Sequence, residues 1–170
     1  MRLVCSAILI LALATVAWGA DKSGGGFAAS VGFGNPYGGE GGCEFEYQLL
    51  LAPPFRLTPF AAAGAVNGLF EDSLALGYCG GVNFEYGRWN RAVATVCFGS
   101  LYRDSDSLPV AKTRTMIGPS VYLGYKGVAR FGLLWQAWLG CTYIINPANN
   151  PNRQDSNFNQ VMGLGLGYKF

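Results

Sequence analysis

The chain ends in FNQVMGLGLGYKF, residues 158–170, and the alternation in this stretch decides the predicted fold. Successive side chains of an extended strand point to opposite faces, so residues two apart share a face. One face of the stretch is apolar, and the other carries small or polar side chains. The apolar set is Phe158, Met162, Leu164, Leu166, Tyr168 and Phe170, and the opposite set is Asn159, Gly163, Gly165, Gly167 and Lys169. The sequence therefore predicts a terminal β-strand with one apolar and one polar face.

The same period of two recurs in seven earlier segments of about ten residues, the length with which a tilted strand crosses a bilayer. These segments are residues 26–34, 43–51, 56–66, 74–86, 92–102, 115–125 and 131–144. In the second, fourth and seventh segments the two faces are clear. The apolar faces there are Phe45, Tyr47, Leu49 and Leu51; Tyr78, Val82, Phe84 and Tyr86; and Phe131, Leu133, Trp135, Ala137 and Leu139. The facing of the third segment stays open, because the alanines at 61–63 and 65 fit either face.

The gaps between the segments alternate in length. The long gaps are residues 35–42, 67–73, 103–114 and 145–157, and the short gaps are residues 52–55, 87–91 and 126–130. Outer-membrane barrels have short periplasmic turns and long extracellular loops. The pattern predicts an all-β fold, an eight-stranded antiparallel up-and-down transmembrane β-barrel, with both termini at the short-turn end.

Aromatic residues cluster near the predicted strand ends, as expected of two interfacial belts. Those toward the short turns are Phe27, Tyr86, Tyr125, Phe131, Tyr168 and Phe170, and those toward the long loops are Phe33, Tyr102, Tyr143 and Phe158.

The composition excludes several other classes of protein. The chain has 170 residues, 51% of them apolar, 13% charged and 25 of them glycine. This mix is too apolar for disorder and too rich in glycine for a helical bundle. The net charge is +2 and the basic residues are scattered, so no nucleic-acid partner is expected. The length predicts one domain.

The first twenty residues have the features of a secretory signal peptide. Arg2 precedes an apolar core at residues 3–16, and small residues follow at Ala17, Gly19 and Ala20. We expect cleavage of residues 1–20 and a barrel domain at residues 21–170. No later stretch approaches the ~18 apolar residues of a spanning helix. A soluble barrel of lipocalin type is the alternative, but the polar face is mostly Gly, Ala, Ser, Asn and Gln with few charges, which favours a narrow filled lumen.

Three stretches resemble strands of known bacterial outer-membrane proteins. MGLGLGYKF at the C-terminus resembles their assembly signal, and RLTPFAAAGAV (56–66) and LGYCGGVNFEY (76–86) resemble strands of the small OmpA-like and OmpX-like barrels. The resemblance implies folding by the barrel assembly machinery. It implies that the machinery recognises Leu164, Leu166, Tyr168 and Phe170.

The chain contains no histidine. Outer-membrane lipid A deacylases, palmitoyltransferases and omptin proteases resemble one another in using a catalytic His as a base near neutral pH. A Ser or Thr nucleophile activated by Lys has no supporting motif. We therefore predict no enzyme, no catalytic residues, no cofactor and no metal site. The glycine-rich stretches lack the context of a phosphate-binding loop.

Four charged residues are expected to form a polar network in the lumen: Glu44, Glu46, Glu85 and Lys169. A paired acid/base site is the functional interpretation of the carboxylates. The structural interpretation is stronger, because buried charges are usually paired, here with groups such as Lys126, Gln48 or Asn83.

Four cysteines follow the leader: Cys43, Cys79, Cys97 and Cys141. If Tyr86 opposes Ala92 across the short turn, Cys79 and Cys97 point inward as a diagonal pair. A disulfide between them is allowed in an oxidising compartment but is not favoured over free thiols. Cys43 and Cys141 share the apolar face near the long loops.

These features predict a protein of the outer membrane of a Gram-negative envelope, in contact with its lipid and lipopolysaccharide. Three functions stay open. The favoured one is a structural, envelope-stabilising or surface-interaction role through loops 103–114 and 145–157, with an unidentified surface ligand. The second is porin-like binding or transport of a small apolar molecule past inward Leu50, Val93, Leu101, Tyr122, Leu134 and Trp138. The third, a lipid-modifying enzyme, is disfavoured.

Overall fold

The fold is seen in a computed structural model that describes residues 25–34, 39–65, 76–104, 114–145 and 158–170. The predicted signal peptide lies outside these residues. Within them the chain forms eight β-strands: β1 Gly26–Gly34, β2 Gly39–Ala52, β3 Phe55–Ala65, β4 Leu76–Tyr86, β5 Asn90–Asp104, β6 Arg114–Val128, β7 Leu133–Tyr143 and β8 Phe158–Lys169. The described residues include no helix long and apolar enough to cross a membrane.

The strands close into one antiparallel barrel in sequence order, and β8 pairs with β1. This confirms the predicted eight-stranded up-and-down fold. Gly26 and Lys169, at the outer ends of β1 and β8, lie at the end with the short turns. Two backbone hydrogen bonds hold the chain there, from Lys169 N–H to the Gly132 carbonyl at 2.8 Å and from Phe170 N–H to the Phe27 carbonyl at 2.9 Å.

One predicted loop is shorter than expected. β2 begins at Gly39 and not at residue 43, so the first long gap of 35–42 is reduced to residues 35–38. The added residues pair with both neighbours, as in Gly34 with Gly39 and Gly41 with Ala65. Glycine has no side chain and adds nothing to an alternating pattern. The alternation of apolar residues therefore could not show where this strand begins. β5 and β6 are also longer than predicted.

The barrel is apolar outside and polar inside. The large apolar side chains that face outward include Phe27, Val31, Phe45, Leu49, Phe84, Val96, Phe98, Leu123, Leu139, Met162, Leu164 and Leu166, all of them exposed. Among the side chains that the structure describes, most of the charged ones face inward, including Glu44, Glu46, Glu85 and Lys169. The faces predicted for the second, fourth, seventh and eighth segments are confirmed. The open third strand is now assigned, with Arg56, Thr58, Phe60 and Ala62 inward and Ala61 and Ala63 outward.

Large inward side chains are opposed by glycine on the neighbouring strand. Gly124 stands across from Trp138, and Gly140 across from Tyr122. A Cβ atom on Gly124 would lie 2.8 Å from the Trp138 Cβ, and one on Gly140 would lie 2.6 Å from the Tyr122 Cδ1. These distances are too short for real contacts. The glycines therefore allow eight strands to enclose a lumen that still holds aromatic rings.

Aromatic rings pair at both ends of the barrel. Phe27 with Tyr47, Phe55 with Tyr86, and Tyr168 with Phe170 make ring contacts of 4.7, 4.9 and 5.4 Å between centroids at the short-turn end. Tyr143 and Phe158 form an edge contact of 5.2 Å at the long-loop end. The predicted aromatic residues thus lie in two groups, one at each end of the barrel. The side chain of Tyr102 is outside the described part.

Candidate functional site: the polar lumen

Four strands contribute side chains to an ion-pair cluster in the short-turn half of the lumen. Glu46 comes from β2, Glu85 from β4, Arg91 from β5 and Lys126 from β6. Each occupies an inward position of its strand, and each side chain is at most 4% exposed. The closure of the sheet brings together residues that are up to 80 positions apart in the chain.

Lys126 bridges two carboxylates at the centre of this cluster. Its Nζ lies 2.5 Å from the Glu46 Oε2 and 2.7 Å from the Glu85 Oε1. Arg91 binds the other oxygen of Glu85 through Nη1 at 2.7 Å. Gln48 completes the chain, since it donates to Glu46 at 2.8 Å and accepts from Arg91 at 2.9 Å. Every charge in this set has an opposite charge in contact, as a buried location requires.

A second group of polar side chains, which includes the Glu44 carboxylate, lies next to this ion-pair cluster. Gln136 donates from its amide nitrogen to the Glu44 carboxylate and to the Ser30 hydroxyl, both at 3.1 Å. Thr95 donates to the Asn83 Oδ1 at 2.6 Å. The Gln136 contacts join β7 to β1 and β2, and the Thr95 contact joins β5 to β4. Glu44 is also close enough to Lys126 for their charges to attract.

The two thiols that were predicted to point inward do so. Tyr86 opposes Ala92, and the resulting register places Cys97 across from Gly81 and Cys79 across from Gly99. Both side chains are unbridged thiols, buried in an apolar cluster with Phe60, Ala62 and Tyr122. The Cys97 Sγ lies 3.5 Å from the Tyr122 hydroxyl. The allowed disulfide is not formed in this structure. Cys141 is exposed and Cys43 is partly buried. Both lie on the apolar face of their strands, as the alternation of side chains predicts.

Large side chains, including those of Arg91, Tyr122 and Lys126, are fully buried inside the described barrel wall. One cavity of about 20 Å³ is lined by side chains that include Glu44, Phe60, Lys126 and Trp138. This volume holds about one water molecule. No group of three or more His, Cys, Asp or Glu residues is close enough to bind a metal ion within the ranges described above.

The predicted site residues are distributed over this arrangement as follows. Lys169 is fully buried at the short-turn end, close enough to Glu85 and Glu46 for their charges to attract. Leu164 and Leu166 face outward, with Tyr168 and Phe170 partly exposed beside them.

One inward prediction fails. Leu50 is 43% exposed, since it lies next to a register shift near the end of β2. Tyr122 and Leu134 are buried inside as predicted, and Val93 and Trp138 are partly buried. The side chain of Leu101 is outside the described part.

Sequence reasoning missed Arg56 and Arg91, which are 4% and 0% exposed. Both flank short turns, where an arginine is usually solvated. Arg56 donates to the Gly87 carbonyl, and Arg91 donates from Nε to the Arg88 carbonyl at 3.0 Å. Arg91 lies an even number of residues from Thr95, which points inward on the same strand. The period of two could therefore have predicted that the Arg91 side chain also points inward.

No model of a known protein family matches the chain, and no curated protein is significantly similar to it in sequence.

Proposed function

We propose that this chain is a non-enzymatic protein of the outer membrane, which stabilises the envelope or presents its long loops to lipopolysaccharide or another surface partner. The proposal rests on one observation. The outer surface of the barrel wall carries apolar side chains, and its inner surface carries charged ones. A water-soluble barrel needs polar groups on its outside. Closure also removes every free strand edge, as lipid requires.

The strand lengths and the aromatic pairs support the same location. The strands have 9 to 15 residues, enough for tilted strands to cross the apolar part of a bilayer. Aromatic pairs at both ends are the arrangement expected where a barrel meets the two interfaces. The outward facing of Leu164 and Leu166 supports the proposal that assembly machinery recognises them.

The ion pairs and large side chains buried in the lumen favour a structural role over transport. The ion pairs join β6 to β2 and β4 across the lumen and β4 to its neighbour β5, and a cavity beside Lys126 holds about one water molecule. An apolar cargo would need to displace both Trp138 and the ion-pair cluster. Surface contacts are then left to loops 103–114 and 145–157, most of which lie outside the described residues.

Fractionation of a Gram-negative host that expresses the full chain tests the location. We expect the protein in the outer membrane, with a faster gel mobility in unheated than in boiled samples. Phe170→Ala should reduce the assembled fraction. Phe158→Ala is the matched control, because it removes an exposed aromatic ring from the other end of β8. A soluble periplasmic product without a mobility shift would defeat the membrane proposal, and equal assembly of the two variants would defeat the role of Phe170.

Planar-bilayer recording tests the closed lumen separately. The purified barrel should give no conductance at the level of a porin, and such a conductance would overturn the structural role. Altered lipid A in cells that express the chain would instead revive a lipid-modifying activity.

A further inference from the structure

Two arginine side chains are exposed on neighbouring turns at the short-turn end of the barrel. Arg88 lies in the turn between β4 and β5, and Arg130 lies in the turn between β6 and β7. The two turns are joined by a backbone hydrogen bond of 2.8 Å, which the Val128 N–H donates to the Trp89 carbonyl. Because each arginine lies within two residues of this bond, both side chains start from the same section of the rim.

The net charge of this section of the rim is positive. All the ion pairs among the described residues lie inside the lumen, and none includes either exposed arginine. The short gaps of the sequence, residues 52–55, 87–91 and 126–130, contain no Asp or Glu. The carboxylate of Phe170 lies at the same end but is not within ion-pair distance of the two arginines. A negatively charged partner is therefore favoured on this rim.

Exposed aromatic rings lie on the outer wall directly beside these turns. Tyr86 and Tyr125 face outward on either side of Ala92. Trp135 lies across from Gly127, and its ring covers that glycine, since a Cβ atom there would lie 2.0 Å from the Trp135 Cε2. Aromatic side chains in this arrangement mark the level of the lipid headgroups. In the membrane location proposed above, the two arginines therefore lie at the level of the headgroup phosphates.

We propose that the rim around Arg88 and Arg130 binds the phosphate groups of anionic glycerophospholipids. The inference rests on the proposed membrane location and names the lipid that the short-turn end contacts. Guanidinium groups bind phosphate oxygens through two parallel N–H donors, and the charge of arginine persists at any physiological pH. Arginine side chains near the ends of a membrane span also extend along the wall and place their charge among the headgroups.

The expected preference is for lipids with a net negative charge. A zwitterionic headgroup carries its own ammonium beside the phosphate and gains little from two arginines, whereas phosphatidylglycerol has no such cation. One basic side chain near a lipid surface strengthens the attraction of an anionic lipid about five-fold, and two should strengthen it up to about thirty-fold. The Arg88 guanidinium carbon lies 5.7 Å from the centre of the Trp89 ring, a contact that limits the freedom of the side chain before lipid binds.

Tryptophan fluorescence of the unaltered protein in vesicles tests the preference. Trp135 faces outward beside the two turns and reports the lipid there, whereas Trp138 points into the lumen and gives a constant background. Bromine is placed on the acyl chains of either phosphatidylglycerol or phosphatidylcholine in a mixed bilayer. At low ionic strength the quenching should show phosphatidylglycerol enriched about five- to thirty-fold at Trp135, and about 1 M salt should abolish the enrichment. Equal quenching by the two brominated lipids would overturn the lipid site and leave the membrane location intact, whereas no quenching by either would defeat the membrane location and the site with it.

Arg88→Gln combined with Arg130→Gln should reduce the enrichment to less than about two-fold, because the positive charge is lost while both residues remain polar. The matched control is Arg88→Lys combined with Arg130→Lys, which keeps the charge and should keep an enrichment of at least about five-fold. An unchanged enrichment in the glutamine variant would contradict the site, even if the unaltered protein prefers phosphatidylglycerol.

Discussion

Replacement of Lys126 by methionine should be among the most destabilising single changes in this barrel. Lys126 is 1% exposed and contacts two carboxylates at 2.5 and 2.7 Å. Glu85 would keep Arg91, but Glu46 would keep only the amide of Gln48. Removal of one partner from a buried ion pair costs about 3 to 5 kcal/mol. The unfolding equilibrium constant should therefore rise roughly a hundred- to several-thousand-fold.

The assay is urea unfolding of the barrel after refolding into phosphatidylcholine vesicles, followed by tryptophan fluorescence and by gel mobility without heating. Adding Glu46→Gln to Lys126→Met should recover at least half of the loss, because the carboxylate left without its cation is then neutral. Arg130→Met is the control, since Arg130 is an exposed turn residue and its loss should change stability by less than about 0.5 kcal/mol. A loss below about 1 kcal/mol for Lys126→Met, or no recovery in the double variant, would refute the reasoning.

Two further predictions concern packing and the thiols. Gly140→Ala should lower the free energy of unfolding by about 1 to 3 kcal/mol in the same assay, because the new Cβ would lie 2.0 Å from the Val121 carbonyl oxygen. Gly80→Ala, whose Cβ would meet only the Phe60 carbonyl at 3.7 Å, should leave stability within about 0.5 kcal/mol; equal losses would show that the wall yields to an added methyl group. In the folded barrel, mass spectrometry should find Cys141 modified by an apolar maleimide and Cys79 and Cys97 modified only after unfolding, because Cys141 alone of these three is exposed. Rapid modification of Cys79 in the folded state would show that the lumen opens.

The strand count and the two faces of most strands follow from local pattern. In the last strand, every second residue from Met162 to Phe170 is apolar, and the alternate positions are glycine or lysine. Side chains of a strand alternate with a period of two whatever the strand pairs with, so the division between the faces could be predicted without any tertiary contact. The carboxylates Glu44, Glu46 and Glu85 could be placed inside for the same reason.

The pattern was insufficient where side chains carry no contrast. The alanines of β3 fit both faces, and only pairing with β2 and β4 places Phe60 inside and Ala61 outside. Gly39 to Gly42 of β2 have no apolar period at all, although they belong to the strand. In both places the neighbouring strands decide, because backbone pairing does not depend on the side chain.

The terminal stretch at residues 158–170 by itself determined a strand with an apolar and a polar face, and the segments before it determined how many such strands there are. Only the closed barrel decided which charges meet. Lys126 reaches Glu46 and Glu85 across 80 and 41 positions of chain, and Arg91 and Arg56 become buried although they flank turns. The period of a strand is a local property of its backbone, whereas the partners of a buried charge depend on how strands distant in the sequence are brought together.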